Sequence, residues 1–206
     1  SKFRNAGQTC VCANRILVHD AVHDEFAARL ARAVMALKVG PGTAEGVTMG
    51  PLINAAARAK VDAHVDDALA GGARILARGD NPMNGATFAA PVVLTGASQD
   101  MLLAREETFG PLAPLFRFHT DEEAIAMANA TEYGLASYFY TRDLNRAFRM
   151  AEQLEAGMVV LNTGSVAMEV APFGGIKQSG LGREAGAAGL EEYLETKAFH
   201  IGGLPF

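Results

Sequence analysis

Two cysteines lie two positions apart near the start of the chain, in the stretch SKFRNAGQTCVC. Cys10 and Cys12 are the only cysteines among the 206 residues. A thiolate is a good nucleophile when its pKa is lowered or a base stands nearby. A disulfide between the two would close a tight, strained and reducible ring, which suits a redox switch better than a structural link. Two ordinary buried thiols are the other alternative.

A metal centre would need more ligands than two thiolates. The five histidines, at positions 19, 23, 64, 119 and 200, show no ligand spacing with one another or with the cysteines. We therefore expect no metal ion in this chain. From the cysteines alone, three interpretations stay open: a nucleophile, a redox pair, or two inert thiols.

Two further stretches carry groups that could bind a ligand. REETFGPL (105–112) places two adjacent acids before Phe-Gly-Pro, and PFGGIKQSGLGRE (172–184) lies in a long glycine-rich loop. Taken alone, Glu106–Glu107 is typical of a solvated acidic turn. Phe173 alone could be a core residue, and Glu184 could pair with a basic neighbour. Because long loops are usually functional or disordered, the aromatic residue and the glycine spacing favour a functional loop here.

The hydrophobic pattern indicates which elements position these groups. It predicts strands at 15–19, 73–78, 88–96, 112–118, 135–141 and 158–162, and helices at 21–38, 54–69, 120–130 and 143–154. Strands alternating with helices over short connections indicate right-handed βαβ units. The predicted fold class is therefore α/β, with a mostly parallel twisted sheet flanked by helices.

Three finer expectations concern single positions in these elements. Thr120 and Glu123 have the spacing of a capping box, which should start a helix. Pro91 predicts an edge position or a bulge for the strand that contains it. The helix predicted at 143–154 should bury five residues, namely Leu144, Ala147, Phe148, Ala151 and Leu154.

Composition excludes several classes of protein. The net charge of −5 argues against a nucleic-acid partner, because phosphate binding needs a basic face. No stretch reaches the ~18 apolar residues that a membrane span needs. The first residues lack the apolar core of a signal peptide, and two cysteines make no disulfide scaffold. We expect a cytoplasmic protein whose partner is a small molecule.

Taken together, the three motifs resemble the NAD(P)-dependent aldehyde dehydrogenase superfamily. NAGQTCVCANR, REETFGPL and PFGGIKQSGLGRE follow one another in that family's order, and the resemblance spans essentially the whole chain. It implies that Cys10 attacks the aldehyde carbon and that its backbone N–H helps to bind the oxyanion. Hydride transfer to NAD or NADP then leaves a thioester, which water hydrolyses to the acid.

The resemblance also implies roles for five other residues. Glu107 would bind the ribose hydroxyls next to the nicotinamide, and Phe109 would pack beside the nicotinamide ring. Lys60 falls where some members place a lysine that contacts the cofactor. Phe173 would line the substrate tunnel, and Glu184 would belong to a proton relay.

The first motif further resembles the succinate-semialdehyde dehydrogenase branch. There the arginine at the position of Arg4 receives the distal carboxylate of the substrate, and a guanidinium fits a carboxylate well. Cys12 matches a second cysteine that forms a reversible disulfide in some members. The branch usually places a serine where this chain has Ala167, so Ser165 is the candidate replacement. The implied substrate is succinate semialdehyde or a related carboxylated semialdehyde, and an uncharged aldehyde is the alternative.

The resemblance also predicts how the chain is organised. It implies a catalytic domain over 1–190 and a C-terminal strand over 191–206 that pairs with another subunit. In the family a nucleotide-binding domain precedes the nucleophile and supplies the general base in a Glu-Leu-Gly-Gly motif. These 206 residues lack that motif. We therefore expect a portion of a longer homo-oligomeric enzyme, a dimer or tetramer, that is inactive by itself or serves only as an assembly module.

Overall fold

A computed structural model describes residues 2–83, 85, 87–166 and 168–203. Five α-helices and eight strands occur in the described residues. In chain order they are β1 (Ile16–His19), α1 (Asp20–Met35), α2 (Ala55–Ala70), β2 (Arg74–Arg78), β3 (Val92–Thr95), α3 (Leu102–Arg105), β4 (Leu112–Phe118), α4 (Asp121–Asn129), β5 (Tyr133–Gly134), β6 (Ala136–Phe139), α5 (Leu144–Gln153), β7 (Met158–Leu161) and β8 (Ile176–Lys177). The α/β class predicted from the sequence is confirmed.

The largest sheet has four strands in the order β1-β4-β3-β2. β4 pairs in parallel with both β1 and β3, whereas β2 is antiparallel to β3. β6 and β7 form a separate parallel pair, and β5 and β8 form an antiparallel pair. The four-stranded sheet is therefore mixed, and the parallel pair β6–β7, which α5 connects, forms a βαβ unit outside it.

Helices cover both faces of the four-stranded sheet. α1 packs on one face, where the buried cluster is Val18, Ala27, Val34, Ala77, Val93, Ala113 and Leu115. α2 packs on the opposite face, with a cluster that includes Val65, Ala68, Leu94, Leu112 and Phe116. Successive residues of β3 and β4 point to opposite sides, so each strand feeds both clusters. This three-layer core holds the segments that carry the site.

The start of α4 follows the predicted capping spacing. The Thr120 hydroxyl accepts the Glu123 backbone N–H at 3.1 Å. The Glu123 carboxylate accepts from the His119 backbone N–H at 2.7 Å, one residue before the helix cap. Both bonds satisfy donors at the helix start that have no partner inside the helix.

The expectation for Pro91 is wrong as to the edge position. β3 begins at Val92 and lies inside the sheet, between β4 and β2. Pro91 precedes the paired residues, so strand pairing does not need the N–H that proline lacks. Its carbonyl accepts the Gly79 N–H at 2.8 Å. The irregularity in register lies in the partner strand β2, between Ile75 and Ala77.

The buried face of α5 also differs from the prediction. Ala147 and Leu154 are buried as expected, but Leu144 is 69% exposed, Phe148 is 64% exposed, and Ala151 is exposed. Met150 is buried instead. The helix makes its main contacts with α4 and β7, and the two-stranded β6–β7 pair is too narrow to cover the wide apolar stripe that the sequence shows.

Arg15 joins the large sheet to the second half of the chain. Its guanidinium donates to the backbone carbonyls of Met127 at 2.6 Å and Ala128 at 2.7 Å, in the last turn of α4. A cation suits this helix end because the last carbonyls have no partner inside the helix. The contact holds α4, and the strands that follow it, beside the segment that carries the cysteines.

The C-terminal segment forms no strand in the described residues. A 3₁₀ helix covers Ala188–Tyr193, and residues 194–203 have no regular structure. Its large apolar residues are exposed, as shown by Leu190, Tyr193, Leu194, Phe199 and Ile201. The predicted subunit-pairing strand therefore stays a prediction.

None of the helices in the described part of the chain is both long and apolar enough to cross a membrane.

Candidate active site

The cysteine segment begins with a strained turn. Three successive residues have positive φ: Asn5 at 50°, Ala6 at 55° and Gly7 at 78°. Only glycine adopts such angles without a steric penalty. A Cβ on Gly7 would lie 2.2 Å from the carbonyl oxygen of Gly110. The backbone of the first motif therefore lies directly against the Phe-Gly-Pro turn of the second.

Gln8 fixes this segment from the other side. Its side-chain amide donates to the backbone carbonyls of Asn5 at 3.1 Å and Pro51 at 3.3 Å. Its side-chain oxygen accepts the Ile53 backbone N–H at 2.8 Å. The Gly-Gln pair that precedes the cysteines thus has a structural meaning: the glycine permits close approach, and the glutamine anchors the loop to residues 51–53.

The two cysteines occupy different environments. Cys10 is exposed, Cys12 is partly buried, and neither belongs to a disulfide. The Cys12 backbone N–H donates to the Thr9 carbonyl at 2.8 Å, which closes a tight turn around Cys10. Among the described residues, no acceptor takes the backbone N–H of Cys10. That donor can therefore serve an anion that forms beside the Cys10 sulfur.

Tyr138 on β6 holds the turn around Cys10 through a hydrogen bond. Its hydroxyl donates to the carbonyl of Val11, the residue between the two cysteines, at 2.8 Å. Burial raises the pKa of Tyr138 to about 12, and the charges of Cys12 and Cys10 add to the shift. The hydroxyl thus stays a donor at neutral pH. No local pattern in the sequence predicts this contact, which spans 127 positions.

Cys10 opens onto a cleft of about 380 Å³ between the cysteine segment and the β5–β8 region. Glu106, Glu107, Cys12 and Ser179 line the same cleft. The structure thus brings residues of all three motifs to one cavity. Glu107 is exposed to this space.

Asn14 binds the acidic motif to the cysteine segment. Its side-chain oxygen accepts the Thr108 backbone N–H at 3.0 Å. Its amide donates to the carbonyls of Leu103 at 2.9 Å and Glu106 at 3.1 Å. Four residues after Cys10, one side chain therefore fixes the backbone on both sides of Glu107. Phe109, two residues after Glu107, has a φ of 50° and is 38% exposed.

Lys2 is a charged residue that the sequence analysis missed. It is only 7% exposed. Burial lowers the pKa of its ammonium to about 8, and the charges of Cys12 and Glu107 partly oppose the shift. Its charge therefore interacts with one residue from each of the first two motifs. A lysine at the start of a chain gives no sequence signal of burial, because lysine is usually solvated.

The remaining residues implied by the resemblance lie outside the lining of the cleft. Arg4 is exposed in the 3₁₀ turn Arg4–Gly7, and its carbonyl faces the Cys12 sulfur at 3.9 Å. Lys60 is exposed on α2. Phe173 and Glu184 pair through two backbone hydrogen bonds of 2.7 Å. Their roles in substrate and cofactor binding stay predictions.

Ser165 lies in the stretch before the glycine-rich loop and is exposed. Its backbone N–H donates to the Thr163 hydroxyl at 3.3 Å. Ala167, which holds the place of the expected serine, lies outside the described residues. The described residues also contain no group of three or more His, Cys, Asp or Glu side chains that could hold a metal ion.

Comparison with known proteins shows the family to which this chain belongs. The model of the aldehyde dehydrogenase family matches residues 1–199. The chain belongs to the aldehyde dehydrogenase family. It is 55% identical over 204 residues to the 3-sulfolactaldehyde dehydrogenase of Pseudomonas putida, covering 99% of this chain and 42% of that protein. It is 55% identical over 202 residues to the succinate-semialdehyde dehydrogenase [NADP(+)] GabD of Escherichia coli, covering 98% of this chain and 42% of that protein.

Solved structures of the aldehyde dehydrogenase family share this fold. The crystal structure of succinate-semialdehyde dehydrogenase from Burkholderia pseudomallei matches with a TM-score of 0.91 and 58% identity, covering 94% of this chain and 40% of that chain. The family resemblance and the fold class inferred from the sequence are thereby confirmed. The chain spans about two fifths of the length of these aldehyde dehydrogenases.

Proposed function

We propose that this chain is the catalytic portion of a longer NAD(P)-dependent enzyme that oxidises a carboxylated semialdehyde to the corresponding acid. Succinate semialdehyde is the first candidate substrate. The observation that carries the proposal is the placement of Cys10 and Glu107 on one cleft, with the backbone N–H of Cys10 accepted by no other described residue. The family membership supports the same reaction class.

The chain's own residues account for the covalent steps. The Cys10 thiolate attacks the aldehyde carbon, forming a C–S bond and an oxyanion that the Cys10 N–H stabilises. NAD(P), when bound, supplies the hydride acceptor. Loss of hydride from the carbon leaves an acyl thioester on Cys10. Water then attacks the thioester carbonyl, the C–S bond breaks, and the acid leaves as the thiolate is restored.

The cleft suits the nicotinamide half of such a cofactor. A carboxylate accepts hydrogen bonds from two adjacent hydroxyls, which is what the exposed Glu107 offers to a ribose. The partly exposed ring of Phe109, two residues on, offers an apolar surface to the nicotinamide. Lys60 would contact the cofactor farther from the cysteines. Residues of the longer enzyme outside this chain would select between NAD and NADP.

The anionic end of the substrate is assigned to Arg4. 3-Sulfolactaldehyde and succinate semialdehyde, named for two relatives, both carry an anionic group besides the aldehyde. An exposed guanidinium in the 3₁₀ turn Arg4–Gly7, which precedes Cys10 in the chain, can bind such a group through two hydrogen bonds. Ser165 and Phe173 would complete the binding of the substrate, and Glu184 would relay the proton released during turnover.

Charge reversal at Arg4 tests this assignment. In the full-length enzyme, Arg4→Glu should lower kcat/KM for succinate semialdehyde about 100-fold or more, because a charge-assisted pair becomes a repulsion. kcat/KM for butanal, which has the same chain length but no carboxylate, should change little. Arg29→Glu, another exposed arginine, is the control. Equal kcat/KM for succinate semialdehyde before and after the change would remove the carboxylate from the proposal.

Assembly is the second proposed role. The exposed apolar residues of the segment from Leu190 onward would pack against another subunit, so the intact enzyme would be a dimer or tetramer. If the 206 residues were only an assembly module, Cys10 would have no chemical role in the full-length protein.

The 206 residues by themselves should oxidise no aldehyde with NAD or NADP, since the proposed general base lies in another part of the full-length enzyme. Appreciable turnover by the isolated chain would contradict the proposal that the general base lies outside these residues.

A further inference from the structure

We propose that His64, a buried residue of α2, is a positioning residue that sets Glu107 for cofactor binding. This inference rests on the proposed function, because it concerns the same cleft. His64 does not line the cleft. It acts through Glu106 and Thr108, the residues on either side of Glu107.

Both ring nitrogens of His64 contact this turn. Nδ1 lies 3.0 Å from the Thr108 hydroxyl, and Nε2 lies 3.3 Å from the Glu106 carboxylate. His64 is 1% exposed and Thr108 is 2% exposed. Together with the bonds from Asn14 to the same two residues, the ring holds the backbone and the side chains that flank Glu107. Glu107 lies between these two held residues, and its exposed side chain lines the cleft.

The directions of the two hydrogen bonds follow from the chemistry of the partners. A carboxylate only accepts, so Nε2–H donates to Glu106. Nδ1 then accepts the hydroxyl proton of Thr108. This arrangement needs a neutral ring. Burial lowers the pKa of His64, and the charge of Lys60 lowers it further, whereas Glu106 and Asp67 oppose the shift.

A purely structural role would not require a histidine at this position. The other buried residues of the same helix face are Val61, Val65 and Ala68. An aliphatic side chain would fill the site without the cost of burying two polar nitrogens. Both nitrogens instead bond to the one turn that carries Glu107. That turn continues into Phe109, whose positive φ persists only where neighbouring residues hold it.

The experiment measures cofactor affinity in the full-length enzyme. Thr108→Val removes the hydroxyl at nearly constant volume, and Thr108→Ser retains it. We expect Thr108→Val and His64→Asn each to raise the Kd for NADH or NADPH about 10-fold, as loss of an outer partner of a binding group typically does. Thr108→Ser should keep the Kd within about twofold. The double variant should be no weaker than the more affected single one, because both changes break the same chain of bonds.

Two readouts separate positioning from a loss of stability. ADP, or its 2′-phosphate, lacks the nicotinamide ribose, so its Kd should not change in any variant. His23→Asn alters another buried histidine, whose ring contacts Arg117 and Asp24. It should lower Tm without changing the Kd for NADH or NADPH. The KM for the semialdehyde should stay within about twofold of the parent in the His64 and Thr108 variants.

Two results would overturn the inference while leaving the proposed function intact. One is an unchanged Kd for the reduced cofactor in folded His64→Asn and Thr108→Val proteins whose parent is active. The other is an equal loss of affinity for ADP and for the reduced cofactor. A parent enzyme that neither binds the reduced cofactor nor oxidises an aldehyde would overturn the proposed function and this inference together.

Discussion

Replacing Cys10 with alanine should abolish aldehyde oxidation by the full-length enzyme, lowering kcat by about 10⁴-fold or more, because no other group can form the acyl intermediate. Cys10 is exposed, so the change removes no core contact and should leave Tm nearly constant. Steady-state production of NADH or NADPH measures the rate. The unfolding midpoint shows that the loss is chemical.

Cys12→Ala is the matched control for this change. Cys12 lies two residues away on the same cleft but is turned toward the Arg4 carbonyl. Its variant should keep kcat within about tenfold, because a neighbour that only supports the turn affects geometry and not bond formation. Loss of activity in Cys12→Ala with retention in Cys10→Ala would reverse the assignment of the nucleophile.

Gly7→Ala should be the most destabilising single methyl addition in the cysteine segment. The new Cβ would lie 2.2 Å from the Gly110 carbonyl oxygen, at a φ of 78°. Neither backbone can move alone, because Gln8 anchors the first motif and Asn14 anchors the second. We expect a loss of about 3 kcal/mol in unfolding free energy, from overpacking together with backbone strain.

Two other glycines separate the causes of this effect. Gly42 has a negative φ and nothing within 4 Å of an added Cβ, so Gly42→Ala should be neutral. Gly46 has a φ of 75°, but its added Cβ would meet only the end of a lysine side chain at 3.5 Å. Gly46→Ala should cost about 1 kcal/mol from strain alone. If Gly7→Ala matched Gly42→Ala in denaturant titrations, the close approach of the two motifs would be refuted.

The elements of the fold were largely predictable because their signals are local. Apolar spacing and a cap residue decide a helix within one or two turns, and Thr120 begins α4 as its spacing predicts. The buried face of α5 was not predictable in the same way. Whether Leu144 and Phe148 are covered depends on how wide the opposing sheet is, and that sheet has two strands here.

The candidate site was predictable only as far as its motifs reach. The motifs indicated Cys10 and Glu107, and the structure places both on one cleft. They gave no sign of Tyr138 or Lys2, whose positions depend on contacts across the fold. His64 carried a partial signal, since it lies at helical spacing among the apolar residues of α2. That pattern indicates burial, but the partners of the ring could come only from the structure.

Trapping the covalent intermediate tests the central claim most directly. The full-length enzyme would be mixed with succinate semialdehyde and NAD or NADP, quenched in acid within one turnover, and digested for peptide fragmentation by mass spectrometry. We predict that the succinyl group is found as a thioester on Cys10 and that its yield falls as turnover proceeds to completion. Acylation of Cys12, or steady turnover with Cys10 never acylated, would contradict the account.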